Sequence, residues 1–400
     1  MHSFLHLLSE LQNPEKTRNF NVFKNYSLMD FEAQLVRYGV LSNQTNAYRP
    51  LRFSVVGTNG KGSTSFYLSE ILRTYDPQNT VGLYTSPHLL TPFERIVTNG
   101  KNISEDEANE IILSLQKIDK INLRGLSYFE CLTLLCFCYF VKKQCKYEIW
   151  EAGLGGRLDA TKLANAEIII LTKIGIDHSE ILGNTLEEIA LEKLNIAGPN
   201  AKVIYSFPVS GSFRTYLEKA AHSLNLKIKF FDSGEYSNYL QSNFNFVKWV
   251  LNDLKLIRSG VPVDFKNFNQ PNGRLELISK NPLILFDPAH NPEAVAQTML
   301  DVKKTFGWSK VSLLIGCLPD KDAFSIYDEI QNQAWDKVLF YEAEGFFAWS
   351  KHIDLPTGLY LRSSEELEKA IRQVATPVLV LGSFRMYPIL TTLYQNDVNL

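Results

Sequence analysis

Residues 51–64, LRFSVVGTNGKGST, constrain this chain more than any other stretch. A short apolar run (Phe53, Val55, Val56) leads into a loop where Gly57, Gly60 and Gly62 surround Lys61. Ser63 and Thr64 then open a predicted helix. A strand that hands a glycine-rich loop to a helix N-terminus gathers backbone N–H groups and the positive end of the helix dipole around an anion. The spacing is not that of an ordinary P-loop. G-x-x-x-x-G-K-[ST] would set its first glycine at Val55 and its hydroxyl at Gly62, whereas the chain reads G-x-x-G-K-G-S. The stretch Gly57, Thr58, Asn59, Gly60, Lys61, Gly62, Ser63, Thr64 is read as a nucleotide cradle, with Lys61 placed for the β- and γ-phosphates. The competing reading is a glycine-rich turn beside a surface lysine.

The rest of the chain repeats the same rhythm. Apolar runs bounded by turn residues predict strands at 53–56, 81–84, 147–150, 168–172 and 203–205. Helical stretches lie between them at 63–75, 104–115, 128–141 and 186–196, and Ser104 with Glu107 forms a capping box. Such alternation implies a mostly parallel sheet with helices on both faces. Residues 257–273, with two prolines and two glycines, interrupt the rhythm and are read as a linker. A second alternation, with strands at 283–286, 311–315, 338–341 and 378–381, makes a smaller Rossmann-like α/β domain. A chain of 400 residues suits this two-domain division.

Bulk chemistry narrows the ligands. A net charge of −2 argues against a general nucleic-acid or membrane surface, so a polyanion would be held by local devices. The longest apolar run, Cys131 to Val141, is too short to span a bilayer and fits a buried helix. No signal-peptide pattern is visible at the start of the sequence. Cys131, Cys136, Cys138 and Cys145 crowd one predicted helix without CxxC spacing, and with an odd total of five cysteines they read as buried thiols of a cytoplasmic protein.

Four further motifs follow predicted strands, at the carboxyl edge where α/β proteins bind ligands. Thr85-Ser86-Pro87-His88-Leu89, with Glu94-Arg95-Ile96 beyond it, is weakly specific alone. Glu151-Ala152-Gly153-Leu154-Gly155-Gly156-Arg157-Leu158-Asp159-Ala160-Thr161 sets a carboxylate near the cradle, which makes Glu151 a candidate Mg²⁺ ligand; a capping or arginine-paired glutamate is the alternative. Thr172 to His178 ends another strand, and Lys193 lies on the helix that follows. In the smaller domain, Asp287-Pro288-Ala289-His290-Asn291-Pro292 turns from strand to helix, and Arg274 sits just beyond the linker.

In this order the motifs resemble the folylpolyglutamate synthase/dihydrofolate synthase family of the Mur ligase superfamily, closely over 52–193 and more sparsely beyond. Thr85–Leu89, Glu94–Ile96, Ser127–Glu130 and Glu151–Thr161 point to the folate branch. The resemblance implies a P-loop-type parallel sheet domain for ATP and folate at 1–268, linker included, and a glutamate-binding domain at 269–400. It implies ATP and Mg²⁺, with Ser86, Glu151 and His178 as metal ligands. Lys61, His178, Lys193 and His290 form its catalytic set, and Lys193 falls where the family carries a carbamylated lysine. Arg274 and Asp287 would contact the nucleotide, and His290 and Ser383 the incoming glutamate.

The activity so implied is addition of L-glutamate to dihydropteroate or a tetrahydrofolate polyglutamate by a monomer with small-molecule partners only. A Mur-type ligase acting on a UDP-sugar peptide and an inactive nucleotide-binding relative are the alternatives. The chain departs from the family at Pro271-Asn272-Gly273-Arg274, which is one residue longer than P-G-R, and after Lys193. It also departs in a degraded H-Q-x-x-N region, where Asn245 is the candidate survivor.

Overall fold

The computed structural model describes residues 3–14, 27–40, 49–232, 234–257, 262–308, 310–352 and 358–394. The chain divides into two compact units, Met1–Ser233 with Asn243–Asn267, and Gly234–Ser242 with Phe268–Leu400. A boundary after residue 268 leaves out residues 234–242, which belong to the second unit. No apolar periodicity marks that excursion.

The first unit is built on strands β1 (Leu51–Val56), β2 (Val81–Tyr84), β3 (Ile96–Thr98), β4 (Lys101–Asn102), β5 (Tyr147–Glu151), β6 (Ile168–Leu171), β7 (Val203–Ser206) and β8 (Lys227–Phe230). They form one sheet in the order β4-β3-β2-β5-β1-β6-β7-β8. The six strands from β2 to β8 in that order run parallel, and β3 and β4 add an antiparallel edge. β1 therefore lies inside the sheet, with β5 on one side and β6 on the other. Its register sets Val55 beside Glu151 and Val56 beside Leu171. The Cys131–Val141 run lies within the helix Tyr128–Lys142, most of which is buried. Its Phe137 and Phe140 rings meet Trp150 of β5 at 4.4 and 5.2 Å. The capping box expected at Ser104 with Glu107 is formed, and Ser127 with Glu130 and Thr185 with Glu188 open two further helices in the same way.

The second unit carries β9 (Glu276–Lys280), β10 (Leu283–Phe286), β11 (Ser312–Ile315), β12 (Val338–Tyr341), β13 (Leu359–Leu361) and β14 (Val378–Leu381). Their order is β13-β12-β11-β14-β10-β9, parallel except for β9. The helix Pro292–Phe306 starts with Asn291 as its cap, the side chain accepting from Ala294 N at 2.9 Å, and has Pro292 in its first turn. Among the described residues no helix is long and apolar enough to cross a membrane.

Candidate active site

The cradle begins where β1 ends. Gly57 has φ 153° and Gly60 φ 89°, and a Cβ on Gly57 would come within 1.9 Å of Thr172 Oγ1. Only glycine fits there. The loop is clamped to the end of β6: Thr58 N and Asn59 N donate to the Lys173 carbonyl at 2.7 and 3.2 Å. The Thr58 hydroxyl also donates to Gly175 O at 2.9 Å. The first and fourth motifs of the sequence are thus one structure. Lys61 opens the helix Lys61–Tyr75, and its Nζ donates to Gly57 O and Thr58 O at 3.1 and 3.3 Å. The hydroxyls of Ser63 and Thr64, residues 1% and 0% exposed, are buried without a hydrogen-bond partner among the described residues. A buried unpaired hydroxyl costs about 1–3 kcal/mol, a cost a phosphate oxygen or a metal-bound water would remove.

β2, β5, β1 and β6 end side by side, which gathers the other motifs at the same edge. Glu151, 3% exposed at the end of β5, accepts from Ser86 N at 3.1 Å. The segment after Ser86 is held by the Glu94 carboxylate, which accepts from the backbone of Leu89, Leu90 and Thr91 at 2.8–3.0 Å. Buried Arg95 donates from Nε to His88 Nδ1 at 2.9 Å. His178 has a left-handed backbone, φ 51°, as the cap of Ser179–Leu182, and its N–H donates to Asp177 Oδ1 at 3.0 Å.

Among the described residues no three His, Cys, Asp or Glu side chains form a metal cage. A buried carboxylate at the end of β5, with buried hydroxyls beyond the end of neighbouring β1, is a donor set for a hard cation that takes its remaining ligands from phosphate and water. That is the habit of Mg²⁺. The residues therefore fit such an ion.

The glycine-rich third motif is a staple rather than a phosphate loop. Buried Asp159 accepts from Gly153 N and Leu154 N with one oxygen, at 2.8 and 3.0 Å. The other oxygen takes Thr161 N and its hydroxyl, at 2.9 and 2.6 Å. The loop it shapes lies against the helix Leu186–Leu194: a Cβ on Gly156 would meet Lys193 O at 2.4 Å, and Arg157 pairs with Glu192 at 2.9 Å. Lys193 itself is 3% exposed, and no described carboxylate lies within ion-pairing distance of it. Burial, reinforced by the Lys61 cation, pulls its amine down to about 7 despite Asp177, Asp159 and Glu192. Burial thus favours the uncharged amine far more than at an exposed lysine.

In the second unit, Arg274 lies between two residues with positive φ, Gly273 at 67° and Leu275 at 44°. A left-handed leucine costs about 1–2 kcal/mol and is held by its N–H, which donates to Asp287 Oδ2 at 3.1 Å. The Gly273 N–H donates to Glu276, whose other oxygen takes the Tyr387 hydroxyl at 3.0 Å. Asp287 is not an open ligand. It is 3% exposed and also accepts from the Tyr239 hydroxyl, Ala289 N and the Thr298 hydroxyl. His290 Nδ1 donates to Pro288 O at 2.8 Å, which leaves the lone pair of the neutral ring on Nε2. Ser383 is 4% exposed and its hydroxyl accepts from Arg385 N at 3.1 Å. These residues stand at the adjacent ends of β10 and β14, joined by Gly382 N donating to Ala289 O at 2.8 Å.

Three features escaped sequence reasoning. Asn243 faces the cradle: a Cβ on Gly60 would lie 3.3 Å from both its amide nitrogen and its amide oxygen, and its buried Nδ2 has no hydrogen-bond partner among the described residues. The degraded pattern around it left no spacing that would single it out. Tyr239 is tied to Asp287 and, through its N–H, to Asp301 at 2.7 Å; only the short excursion 234–242 brings it there. The tie between Gly156 and Lys193 joins residues 37 apart in the numbering, which no local signal reveals.

An inner strand of a parallel sheet, leading through a glycine loop to a helix whose first buried hydroxyls have no partner among the described residues, is built to receive a polyanion. The first unit is thereby a nucleotide-binding α/β module. No family model matches the chain. The dihydrofolate synthase/folylpolyglutamate synthase of Buchnera aphidicola subsp. Schizaphis graminum is 30% identical over 366 residues, 83% of this chain and 85% of that relative. The chain belongs to the dihydrofolate synthase/folylpolyglutamate synthase family. Among solved structures, E. coli FolC in complex with DHPP and ADP is 25% identical, with a TM-score of 0.75 and 92% of each chain covered. A bifunctional folylpolyglutamate synthase/dihydrofolate synthase with Mn, AMPPNP and L-glutamate bound is 24% identical, with a TM-score of 0.77 over 97% of this chain and 96% of that one.

Proposed function

We propose that this protein is an ATP- and divalent-cation-dependent ligase that joins L-glutamate to a folate-type carboxylate. The acceptor is dihydropteroate, a tetrahydrofolate polyglutamate, or both. One observation carries the reading: a phosphate loop, a buried carboxylate and a buried lysine with its amine near 7 share the first unit. Family membership supports the reaction class, and the molecules bound by the solved relatives support the substrates.

In this reading the acceptor carboxylate attacks the γ-phosphorus of ATP, the bond to ADP breaks, and an acyl phosphate forms. The amine of glutamate then attacks the acyl carbon and loses a proton, and phosphate departs. Carboxylate and polyphosphate repel, so the protein's task is to position and neutralise. The N–H groups of Gly57 to Ser63 and the Lys61 ammonium hold the phosphates. Ser86, Glu151 and His178 would hold a divalent cation, which supplies further neutralisation. Uncharged Lys193 is a nucleophile for CO₂: a bond from Nζ to carbon forms and a proton leaves. The carbamate so made replaces a cation beside Lys61 with an anion. His290 and Ser383 place the incoming glutamate.

Residues 1–268 and 269–400 are assigned to the ATP- and folate-side chemistry and to the glutamate side, in a cytoplasmic monomer. The test is ADP release by purified protein with ATP, Mg²⁺ and either dihydropteroate or tetrahydrofolate, each with and without L-glutamate. Glutamate-dependent release with at least one folate is expected. Release with no folate, but with a UDP-sugar peptide, would overturn the reading.

A further inference from the structure

Each oxygen of buried Asp287 carries two donors. Oδ1 accepts from Ala289 N at 3.1 Å and from the Thr298 hydroxyl at 3.3 Å. Oδ2 accepts from Leu275 N at 3.1 Å and from the Tyr239 hydroxyl. A carboxylate offers about four lone-pair sites, so the set is complete. Leu275, Ala289 and Thr298 lie within 12 residues of Asp287 in the chain, whereas Tyr239 is 48 away. It arrives with residues 234–242, which belong to the second unit. That segment is fastened to the helix Pro292–Phe306: Tyr239 N donates to Asp301 Oδ2 at 2.7 Å, and the Thr305 hydroxyl donates to Ser237 O at 3.3 Å. The ring is thus aimed at Asp287 from an anchored backbone.

Burial pushes the Tyr239 hydroxyl well above its ordinary range, helped by Asp287 and opposed by Arg274. The group therefore keeps its proton and donates. Burial pushes the Asp287 carboxyl up as well, and Arg274, the Tyr239 hydroxyl and the N–H groups of Leu275 and Ala289 oppose it. Without the hydroxyl, Oδ2 would keep one donor in a buried site. The carboxylate would then turn or take up a proton, and either change loosens the two turns bonded to it. We infer that Tyr239 is a positioning residue: through Asp287 it fixes the Arg274–Leu275 turn and the Ala289–His290 turn, and so the placement of glutamate by His290. This rests on the reading of the protein as a ligase in which His290 places glutamate. In this role Tyr239 acts through Asp287 and touches no reacting atom.

The test compares the full-length protein with Tyr239→Phe, which keeps the ring and removes the donor. Amide hydrogen exchange of the ligand-free proteins is read together with glutamate kinetics. Exchange at Leu275 and Ala289 should quicken by about five- to tenfold, the effect of losing one hydrogen bond to a charged group. Thr58 and Asn59 in the cradle should keep their rates. KM for L-glutamate should rise by about the same factor while the Kd of Mg-AMPPNP stays unchanged. Para-aminophenylalanine at position 239 restores a donor and should bring exchange and KM back toward the parent. Para-fluorophenylalanine fills the place of the hydroxyl without a proton to give, and repeats the test if the phenylalanine variant folds poorly. Unchanged exchange at both amides, or a rise shared by the whole chain, would overturn the positioning role. Faster exchange with an unchanged KM for glutamate would overturn its bearing on glutamate. A parent without glutamate-dependent turnover would refute the ligase reading itself, and exchange would still decide whether Tyr239 holds Asp287.

Discussion

Lys193→Met isolates the physical cost of the buried amine. Lys193 is 3% exposed, and burial beside Lys61 pulls it from 10.5 to about 7. The folded protein therefore binds this proton far more weakly than the unfolded chain does. The sign follows from linkage. Between about 7 and 10.5 the unfolded state holds the proton and the folded state does not, so stability rises with pH across that window. Below about 7 the lysine is charged in both states and the full penalty applies. The displacement corresponds to at most about 5 kcal/mol, and relaxation around the site makes a few kcal/mol the working figure. Lys193→Met should stabilise the ligand-free protein in CO₂-free buffer by roughly 2–5 °C in Tm at about pH 6. The advantage should shrink as pH approaches 10. The assay is calorimetry of both proteins across that pH range. The same variant should lose ligase activity. A variant less stable than the parent at acid pH would refute the reasoning, because it would mean that the charged amine is satisfied in the fold.

Other substitutions probe the geometry. Gly57→Ala places a methyl 1.9 Å from Thr172 Oγ1; it should cost about 1–3 kcal/mol of stability and abolish Mg-AMPPNP binding measured by calorimetry, with partial recovery in the Thr172→Ala background. Gly156→Ala meets backbone of Lys193 at 2.4 Å, which cannot swing aside. Activity should fall with ATP affinity largely kept, and equal losses of both would contradict the separation of cradle and lysine. Glu151→Gln removes the carboxylate at the end of β5 and should lower kcat/KM by on the order of a hundredfold. Near-normal turnover at saturating Mg²⁺ would rule out its place at the metal.

Much of this was legible in the sequence because parallel strands are buried on both faces and read as plain apolar runs. β1, β2, β10, β12 and β14 lie where those runs stand, and the loop after β1 sits where its glycines require. The edges were not legible. β8, Lys-Ile-Lys-Phe, alternates exposed and half-buried residues, and β9, β13 and the short β3 and β4 lie at or near sheet edges, where half-solvated strands carry little signal. Motif residues were legible as types but not always as roles. Asp159 and Glu94 stand in motifs with no role assigned from sequence, and each accepts from backbone N–H groups that shape a loop. Asp287 likewise accepts from backbone N–H groups. Long-range ties such as Gly156 to Lys193, and Asn243 to Gly60, depend on how elements pack and leave no local trace.

The central claim is that a carboxylate is activated by phosphoryl transfer before glutamate attacks. Dihydropteroate or tetrahydrofolate, whichever supports turnover, can be labelled with heavy oxygen in its carboxylate and incubated with the protein, ATP, Mg²⁺ and L-glutamate. Mass spectrometry of the phosphate released reads the outcome. Activation through an acyl phosphate predicts one labelled oxygen in each phosphate formed with product. Unlabelled phosphate accompanying glutamate addition would contradict it.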